Sequence, residues 1–246
     1  KDGPIDSYLL ALVPKTGQEL WKHIRPSEAH EESHEAYSTP IPFEHAGRRE
    51  MLVIGGDCIT GHSLKDGAEF WRWGSWNPNR ITHWRLVPSP ITGPGVVLAC
   101  APKGSPVFSV MAGSQGALDD SGLAWTSQER EVSSDVGTPL FYQGRFYVLN
   151  GDRKNIARID PATGKPDWIG DLGTRVKIES SPTGADGKIY FQNFRGEVFV
   201  VAAASEFKLL HVAAMGDEDD HDLRATIAVA QGNLFLRTGS KLYCMG

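Results

Sequence analysis

One short motif in the sequence has the spacing of a metal-dependent hydrolase site. It reads His30-Glu31-Glu32-Ser33-His34, with two histidines four residues apart and a glutamate beside the first. On a helix the two histidines would share one face and could hold zinc while the glutamate activates water. The surrounding stretch is polar, however, and no third ligand follows at a familiar spacing. We therefore predict a connecting loop without catalytic residues, and keep His30 and His34 only as metal candidates.

A second cluster, residues 217–222, places five carboxylates in six residues. Calcium prefers oxygen ligands, so this run could bind a hard cation. The glycine and the final glutamate of an EF-hand loop are missing. A solvated acidic loop is the favoured interpretation, since like charges repel one another into water, and binding of a basic partner is the further alternative.

The segment between Trp71 and Pro90 is unusually rich in tryptophan, arginine and asparagine. Such a cluster forms either a stacking platform for a sugar, a flat cofactor or a peptide, or a hydrophobic plug between structural units. Both interpretations stay open. The residues of this segment predicted to contact a partner are Trp76, His83, Trp84 and Arg85.

The elements that would position these residues repeat along the chain. A turn followed by a tryptophan ends at Trp21, Trp71, Trp125 and Trp168, so the tryptophans lie 50, 54 and 43 residues apart. A fifth copy, at 205–210, lacks both the glycine and the tryptophan. A tryptophan that recurs in register is expected to pack against the neighbouring repeat.

A second marker recurs in phase with the first and precedes two short apolar runs separated by a glycine-containing turn. Its copies are Ser38-Thr39-Pro40, Pro88-Ser89-Pro90, Gly137-Thr138-Pro139, Ser180-Ser181-Pro182 and the degenerate Ala225-Thr226-Ile227. Each unit therefore contains four short antiparallel strands. Units of this length with four strands each are typical of an all-β propeller.

The repeats resemble the pyrroloquinoline-quinone-like (PQQ-like) repeat family. Residues 11–21, ALVPKTGQELW, are the closest copy, although Val13 stands where the family usually has aspartate; Asp160 keeps that aspartate in a later copy. The resemblance extends from Tyr8 to Met245. The family includes quinoprotein dehydrogenases and non-catalytic propellers such as an outer-membrane-protein assembly lipoprotein, so the resemblance implies the fold and leaves the activity open.

The repeats divide the chain into one propeller domain or fragment, residues 1–246. The predicted units are a partial blade at 6–22, blades at about 38–74, 86–127, 137–169 and 180–211, and a partial blade at 225–246. We expect the C-terminal portion of a seven- or eight-bladed ring, because unpaired sheet edges favour ring closure with further strands. A closed five-bladed ring is the alternative.

Loops that converge at one end of a propeller commonly bind ligands. Residues just before each innermost strand should project toward the central channel. Asp135, Glu179 and Arg224 are therefore predicted to form a polar funnel.

The resemblance raises the question of a quinone cofactor, which quinoprotein dehydrogenases hold between a tryptophan and a pair of adjacent cysteines, with calcium near a catalytic aspartate. The three cysteines here, Cys58, Cys100 and Cys244, are far apart in sequence. We predict no cofactor and a non-enzymatic binding or assembly scaffold. The alternative is a PQQ-dependent dehydrogenase-like oxidoreductase whose cofactor site is upstream or lost.

Composition limits the partners. Lys and Arg number 25 against 30 Asp and Glu, and the net charge is -5. Without a basic block, nucleic acid is not an expected partner. No apolar run approaches the roughly 20 residues that span a bilayer. We expect a protein or polysaccharide partner, and the resemblance implies a periplasmic or extracellular location.

Overall fold

The computed structural model describes residues 7–246, so Asp6, the first residue of the predicted partial blade, lies outside the described part. The described residues form six sheets. The first contains β1 (Tyr8–Leu12) and β2 (Glu19–Ile24), and the second contains β3 (Ile41–His45), β4 (Arg48–Gly55), β5 (Cys58–Ser63) and β6 (Glu69–Trp73). The third contains β7 (Ile91–Gly93), β8 (Val96–Cys100), β9 (Val107–Met111) and, after β10 (Gly116–Ala117), β11 (Leu123–Thr126). The fourth contains β12 (Leu140–Tyr142), β13 (Arg145–Asn150), β14 (Asn155–Ile159) and β15 (Pro166–Asp171). The fifth contains β16 (Thr183–Ala185), β17 (Lys188–Gln192), β18 (Glu197–Ala202) and β19 (Leu209–Ala214), and the sixth contains β20 (Ala228–Ala230), β21 (Asn233–Arg237) and β22 (Leu242–Met245).

Within each sheet, consecutive strands pair antiparallel in chain order. The first strands of neighbouring sheets contact one another, β7 with β12, β12 with β16 and β16 with β20. The first strands are therefore innermost, and the sheets are the blades of a β-propeller. Helical structure in the described residues is limited to two short 3₁₀ turns, Glu31–His34 and Asp120–Gly122. Neither is long and apolar enough to cross a membrane.

From the second sheet to the sixth, a separate hydrophobic core lies between each pair of neighbouring blades, and the central strands contribute to two cores at once. In β13, Phe146 and Val148 pack toward the third sheet, whereas Tyr147 and Leu149 pack toward the fifth. Side chains alternate between the two faces of a strand, so a continuously apolar run supplies both neighbours.

The recurring tryptophans pack where the repeat predicted. Trp71 belongs to the core between the second and third sheets, and Trp125 belongs to the next core. The Trp125 indole donates to the Pro161 carbonyl at 2.8 Å, and the Trp168 indole donates to the equivalent carbonyl of Ala204 at 3.0 Å. Each of these two tryptophans is thus fixed to the turn of the following blade.

The Ser/Thr-Pro markers form a chain of hydrogen bonds from blade to blade, which we call the hydroxyl chain. The Thr39 N–H donates to Ser89 Oγ at 2.8 Å, and the Ser89 N–H donates to Thr138 Oγ1 at 3.0 Å. The same bond joins Thr138 to Ser181 and Ser181 to Thr226. An unpaired backbone N–H is costly, so in each blade one hydroxyl accepts the marker N–H of the preceding blade. This hydrogen bond holds the two blades at a fixed spacing.

The connections between blades lie at one end of the propeller, together with the hairpins that join the second and third strands of each blade. This follows from the antiparallel order of the strands. The second strand ends, and the fourth strand ends, at the same end of the blade, so the connections that follow them lie together. We call this end the linker face. The turns that carry the recurring glycine lie at the opposite end.

The second sheet has an additional strand at its outer edge. The β10 residues Gly116 and Ala117 pair in parallel with Trp71 and Arg72 of β6. The segment comes from the third blade, between β9 and β11.

Candidate functional site

The predicted funnel residues Asp135 and Glu179 line one cavity on the linker face. Its volume is about 290 Å³. Its walls come from two second-to-third-strand hairpins and from the two connections that lead into the fourth and fifth sheets. The lining residues are Lys103, Gly104, Ser133, Asp135, Val136, Gly137, Asn150, Gly151, Asp152, Arg153, Lys177, Ile178 and Glu179.

Asp135 is held to the β8–β9 hairpin by two contacts with one residue. Its Oδ1 accepts the Lys103 backbone N–H at 2.9 Å, and its Oδ2 lies 3.6 Å from the Lys103 ammonium. The Asp135 carboxylate therefore holds the β8–β9 hairpin against the connection in which Asp135 lies.

Lys177 links the other two carboxylates of the cavity. Its Nζ lies 2.7 Å from Glu179 and 3.6 Å from Asp152. The hydrogen bond to Glu179 raises the pKa of the Lys177 ammonium above its ordinary value. Each lining carboxylate thus has a cation within ion-pair distance.

Arg224 extends this network away from the cavity. Its guanidinium contacts Glu179 and Asp222, both at 2.7 Å, and lies over the Phe194 ring at 5.2 Å. Arg224 itself lines a neighbouring cavity, of about 320 Å³, next to the last blade. The three predicted funnel residues are therefore neighbours, although they do not share one cavity.

Sequence reasoning missed three basic residues that line the cavity, Lys103, Arg153 and Lys177. Lys103 and Arg153 occupy second-to-third-strand hairpins, and Lys177 precedes Glu179 by two residues. The sequence contained the signal, because aligning those hairpins as well as the connections would have put their basic residues beside the predicted acids. Together the groups form a polar cavity of mixed charge, suited to hydrogen bonding and ion pairing with a ligand.

The predicted residues of the tryptophan-rich segment lie elsewhere on the linker face. Trp76 is only 6% exposed and packs on Trp73 and Phe108, with ring centroids 5.2 and 6.3 Å away. Trp84 packs at the margin of the same core. This packing corresponds to the hydrophobic plug, one of the two interpretations that the sequence left open.

The remaining two residues of that segment face solvent. His83 is exposed, and Arg85 forms ion pairs with Glu32 at 2.7 Å and Glu35 at 2.8 Å. These pairs join two inter-blade connections, which also share a bridge between Ala36 and Leu86.

His30 and His34 flank a single 3₁₀ turn on this bridged connection. His30 has extended backbone angles and precedes the turn, and His34 is its last residue. Both side chains are exposed. Between residues 7 and 246, no three His, Cys, Asp or Glu side chains are grouped so that they could hold a metal ion.

The acidic run at 217–222 is anchored to the last hairpin. Asp217 pairs with Lys241, and this hydrogen bond lowers the pKa of the Asp217 carboxyl. Asp220 Oδ1 accepts the Gly239 N–H at 3.1 Å. Two of the five carboxylates therefore position the loop, while Glu218 and Asp219 remain exposed.

The donors needed for a PQQ site are not found together in the described residues. Cys58 and Cys100 are buried in different sheets, and Cys244 is exposed in the last one. Burial raises the pKa of the Cys100 thiol to about 12. The residues present do not fit the quinone and its calcium.

Comparison with known proteins places the repeats in a family. The model of the family described as outer membrane protein assembly factor BamB matches residues 6–245. The chain belongs to this family. No curated protein matches its sequence.

Solved structures show the same fold at low sequence identity. BamB from Moraxella catarrhalis is 12% identical with a TM-score of 0.59, over 93% of this chain and 60% of that one. A europium-containing methanol dehydrogenase is 10% identical with a TM-score of 0.63, over 93% and 57%. Sqt1 from Saccharomyces cerevisiae is 10% identical with a TM-score of 0.62, over 93% and 62%. This BamB-family chain therefore spans about three fifths of the length of each of these proteins.

Proposed function

We propose that this chain is a non-enzymatic binding or assembly module that acts in the periplasm and presents its linker face to a protein partner. The observation that carries the proposal is the charged cavity of Asp135, Lys177 and Glu179, which lies where the loops of neighbouring blades converge in a BamB-family propeller. Loops on a rigid scaffold are the usual binding elements of such folds.

The geometry of the cavity favours binding over catalysis. Each carboxylate of the cavity is paired with a lysine or an arginine, as in a surface that positions charges for a partner. The fold does not distinguish the two functions, because it carries dehydrogenases as well as scaffolds.

The quinoprotein alternative is supported by the methanol dehydrogenase fold alone. It predicts that adding PQQ and calcium to the purified protein produces a bound quinone spectrum and dye-linked alcohol oxidation. Because the described residues lack the donors for both, we expect neither signal.

The test of the proposal blocks the cavity without removing a buried group. Asp152 stands at its rim with a side chain that is 61% exposed. Asp152→Trp should abolish capture of a protein partner from solubilised envelope membranes, as measured by quantitative mass spectrometry of the captured proteins.

Glu206→Trp is the matched control, because Glu206 is an exposed acid in a turn at the opposite end of the propeller. If both variants capture the same proteins as the unmodified chain, the linker-face cavity is not the contact surface. Specific retention of glycans instead of proteins would replace the protein partner with a polysaccharide.

A further inference from the structure

Three consecutive blades carry a basic residue at the same position of the same hairpin. Lys103, Arg153 and Arg195 each stand three residues after the end of the second strand of their blade, at β8, β13 and β17. All three side chains are exposed. We call these residues the basic row; it crosses the linker face from the third blade to the fifth.

The backbone at each position of the row is fixed by a side-chain oxygen. The Arg153 N–H donates to Asn150 Oδ1 at 3.0 Å, and the Arg195 N–H donates to Asn193 Oδ1 at 3.0 Å. The Lys103 N–H donates to Asp135 in the same way. The hairpin backbone is thus fixed at all three positions, which reduces the ordering cost of binding.

Two cations of the row have no ion-pair partner within the described residues. No carboxylate of residues 7–246 lies within 4.0 Å of the Arg153 or Arg195 guanidinium, although Arg153 lines the cavity with three acids. Those acids are paired with Lys103, Lys177 and Arg224. Among the cations that line the cavity, the one without an ion-pair partner in the described residues is therefore a guanidinium, the group best suited to bidentate pairing with a carboxylate.

We propose that the basic row binds a short acidic segment of the protein partner, in extended conformation, with carboxylates paired to Arg153 and Arg195. The inference rests on the proposed function and specifies the chemistry of the partner at the same face. An extended chain can cross neighbouring blades, so one acidic side chain can meet each cation.

The surroundings of the row explain why a peptide is favoured over a larger polyanion. Arg195 adjoins the acidic run, since both line one cavity with Asp217 and Asp219. This run repels any anion, so it disfavours a long polyanion such as a nucleic acid or an anionic membrane more than a short acidic segment that ends at Arg195. The net charge of -5 acts in the same direction.

The experiment uses the whole chain and a synthetic peptide of alternating serine and glutamate, with a serine–glutamine peptide as its neutral counterpart. Fluorescence anisotropy should detect binding of the acidic peptide alone, weakened by added salt because exposed ion pairs are screened. We expect Arg153→Gln and Arg195→Gln each to lower the affinity by about 3- to 10-fold, and the double variant to lower it further.

Lys165→Gln removes the same charge from an exposed residue at the opposite end of the fourth blade, and should leave binding unchanged. The double variant should keep the unfolding temperature of the unmodified chain. If it melts earlier, Arg153→Lys with Arg195→Lys replaces it, and that variant should retain part of the affinity.

The proposal is overturned if the double variant binds the acidic peptide as well as the unmodified chain does, or if Lys165→Gln causes an equal loss. Binding to phosphatidylglycerol vesicles in place of the peptide, lost in the double variant, overturns the peptide assignment.

Failure of the two proposals is distinguishable. Partner capture blocked by Asp152→Trp but unaffected by the double variant removes only the row, whereas peptide binding by the row without any captured partner removes only the proposed function.

Discussion

At Arg25 a buried cation holds the first inter-blade connection to the second blade. The side chain is 3% exposed, and its Nη1 and Nη2 donate to the carbonyls of Gly55 and Cys58, both at 2.8 Å. Its Nε donates to Thr60 Oγ1, also at 2.8 Å. Burial lowers the pKa of the guanidinium. Neutral oxygens thus accept hydrogen bonds from this guanidinium, and no carboxylate of residues 7–246 pairs with it directly. One of these oxygens, Thr60 Oγ1, has a further hydrogen-bond partner.

The Thr60 hydroxyl couples Arg25 to a histidine that is fully buried. His62 Nδ1 lies 2.9 Å from the Gly67 carbonyl, so it carries the proton, and Nε2 lies 2.8 Å from Thr60 Oγ1, from which it accepts. Burial lowers the pKa of His62 below its ordinary value. The folded protein therefore holds the imidazole neutral, with the ring of His23 5.7 Å away.

This pKa direction predicts how stability depends on pH. With the folded pKa below the unfolded value, the contribution of His62 is fully present above about pH 6.5 and is lost as the pH falls toward the folded pKa. The free energy of unfolding should decrease by up to about 1.4 kcal/mol per pH unit in that window. Urea denaturation from pH 8 to pH 5 measures this. An identical pH profile in His62→Gln would remove His62 as the cause.

Asp57 has the opposite dependence. It is 2% exposed; Oδ2 accepts from Asn77 at 2.8 Å, while Oδ1 has no hydrogen-bond partner in the described residues. Burial raises the pKa of this carboxyl, so its contribution is present below the unfolded value of about 3.9 and is lost as the pH rises through the folded pKa.

Asp57→Asn should therefore stabilise the protein at pH 7, by about 1 kcal/mol, because a buried charge is removed. Asparagine tolerates the positive φ of this turn, which is 61°. Thermal unfolding at pH 7 and pH 4 is the measurement, and the gain should shrink at the lower pH. A variant that melts earlier at pH 7 would contradict this account.

At the scale of elements, the hydroxyl chain makes a prediction about one marker. Thr138→Val keeps the side-chain shape but leaves the Ser89 N–H without its acceptor, which should cost about 1–2 kcal/mol. Thr138→Ser keeps the hydroxyl and should cost less. Chemical denaturation compares the two, and equal losses would mean that packing, rather than the hydrogen bond, explains the marker.

The sequence predicted the blades because their two markers each have a repeated structural task. The indoles of Trp125 and Trp168 each donate a hydrogen bond to a turn of the following blade. The hydroxyls of the Ser/Thr-Pro markers each accept a hydrogen bond from the preceding blade. Trp71 departs from this pattern: its indole donates to the buried Glu50 at 2.8 Å, within its own sheet. The spacing of Trp71 in the repeat does not reveal this difference, because its partner Glu50 is 21 residues away in sequence and meets it only in the folded sheet.

The candidate site was predicted less completely than the fold. Asp135 and Glu179 could be proposed from the sequence because they precede innermost strands, which the markers locate. The ion pair between Lys177 and Asp152 could not be predicted, because the approach of a hairpin to a connection depends on loop conformation rather than on strand periodicity. The burial of Trp76 was equally inaccessible, because an aromatic cluster has the same composition in a plug as on a surface.

At the scale of the whole molecule, the blades differ in how many of their faces are covered. One face of the first sheet is open to solvent, and its large apolar side chains are between 43% and 62% exposed: Tyr8, Leu10, Leu12, Leu20 and Ile24. The β8 strand, in contrast, is buried at every residue.

Amide hydrogen exchange should follow this difference. Amides of β1 and β2 should exchange fastest among the strands, and those of β8 and β13 slowest, because local opening depends on buried apolar contacts. Exchange measured by mass spectrometry on peptides covering these strands tests the order. Uniform protection across all blades would mean that the whole propeller unfolds as one cooperative unit.

The short parallel strand β10 has a consequence for solubility. The outer strand of a blade presents unpaired amides and carbonyls that can template pairing with another polypeptide. Gly116 and Ala117 pair with part of the open edge of β6, so a segment of the third blade covers this edge of the second blade against pairing with a strand of another molecule. Loop residues between two strands of one blade thus protect the adjacent blade from aggregation.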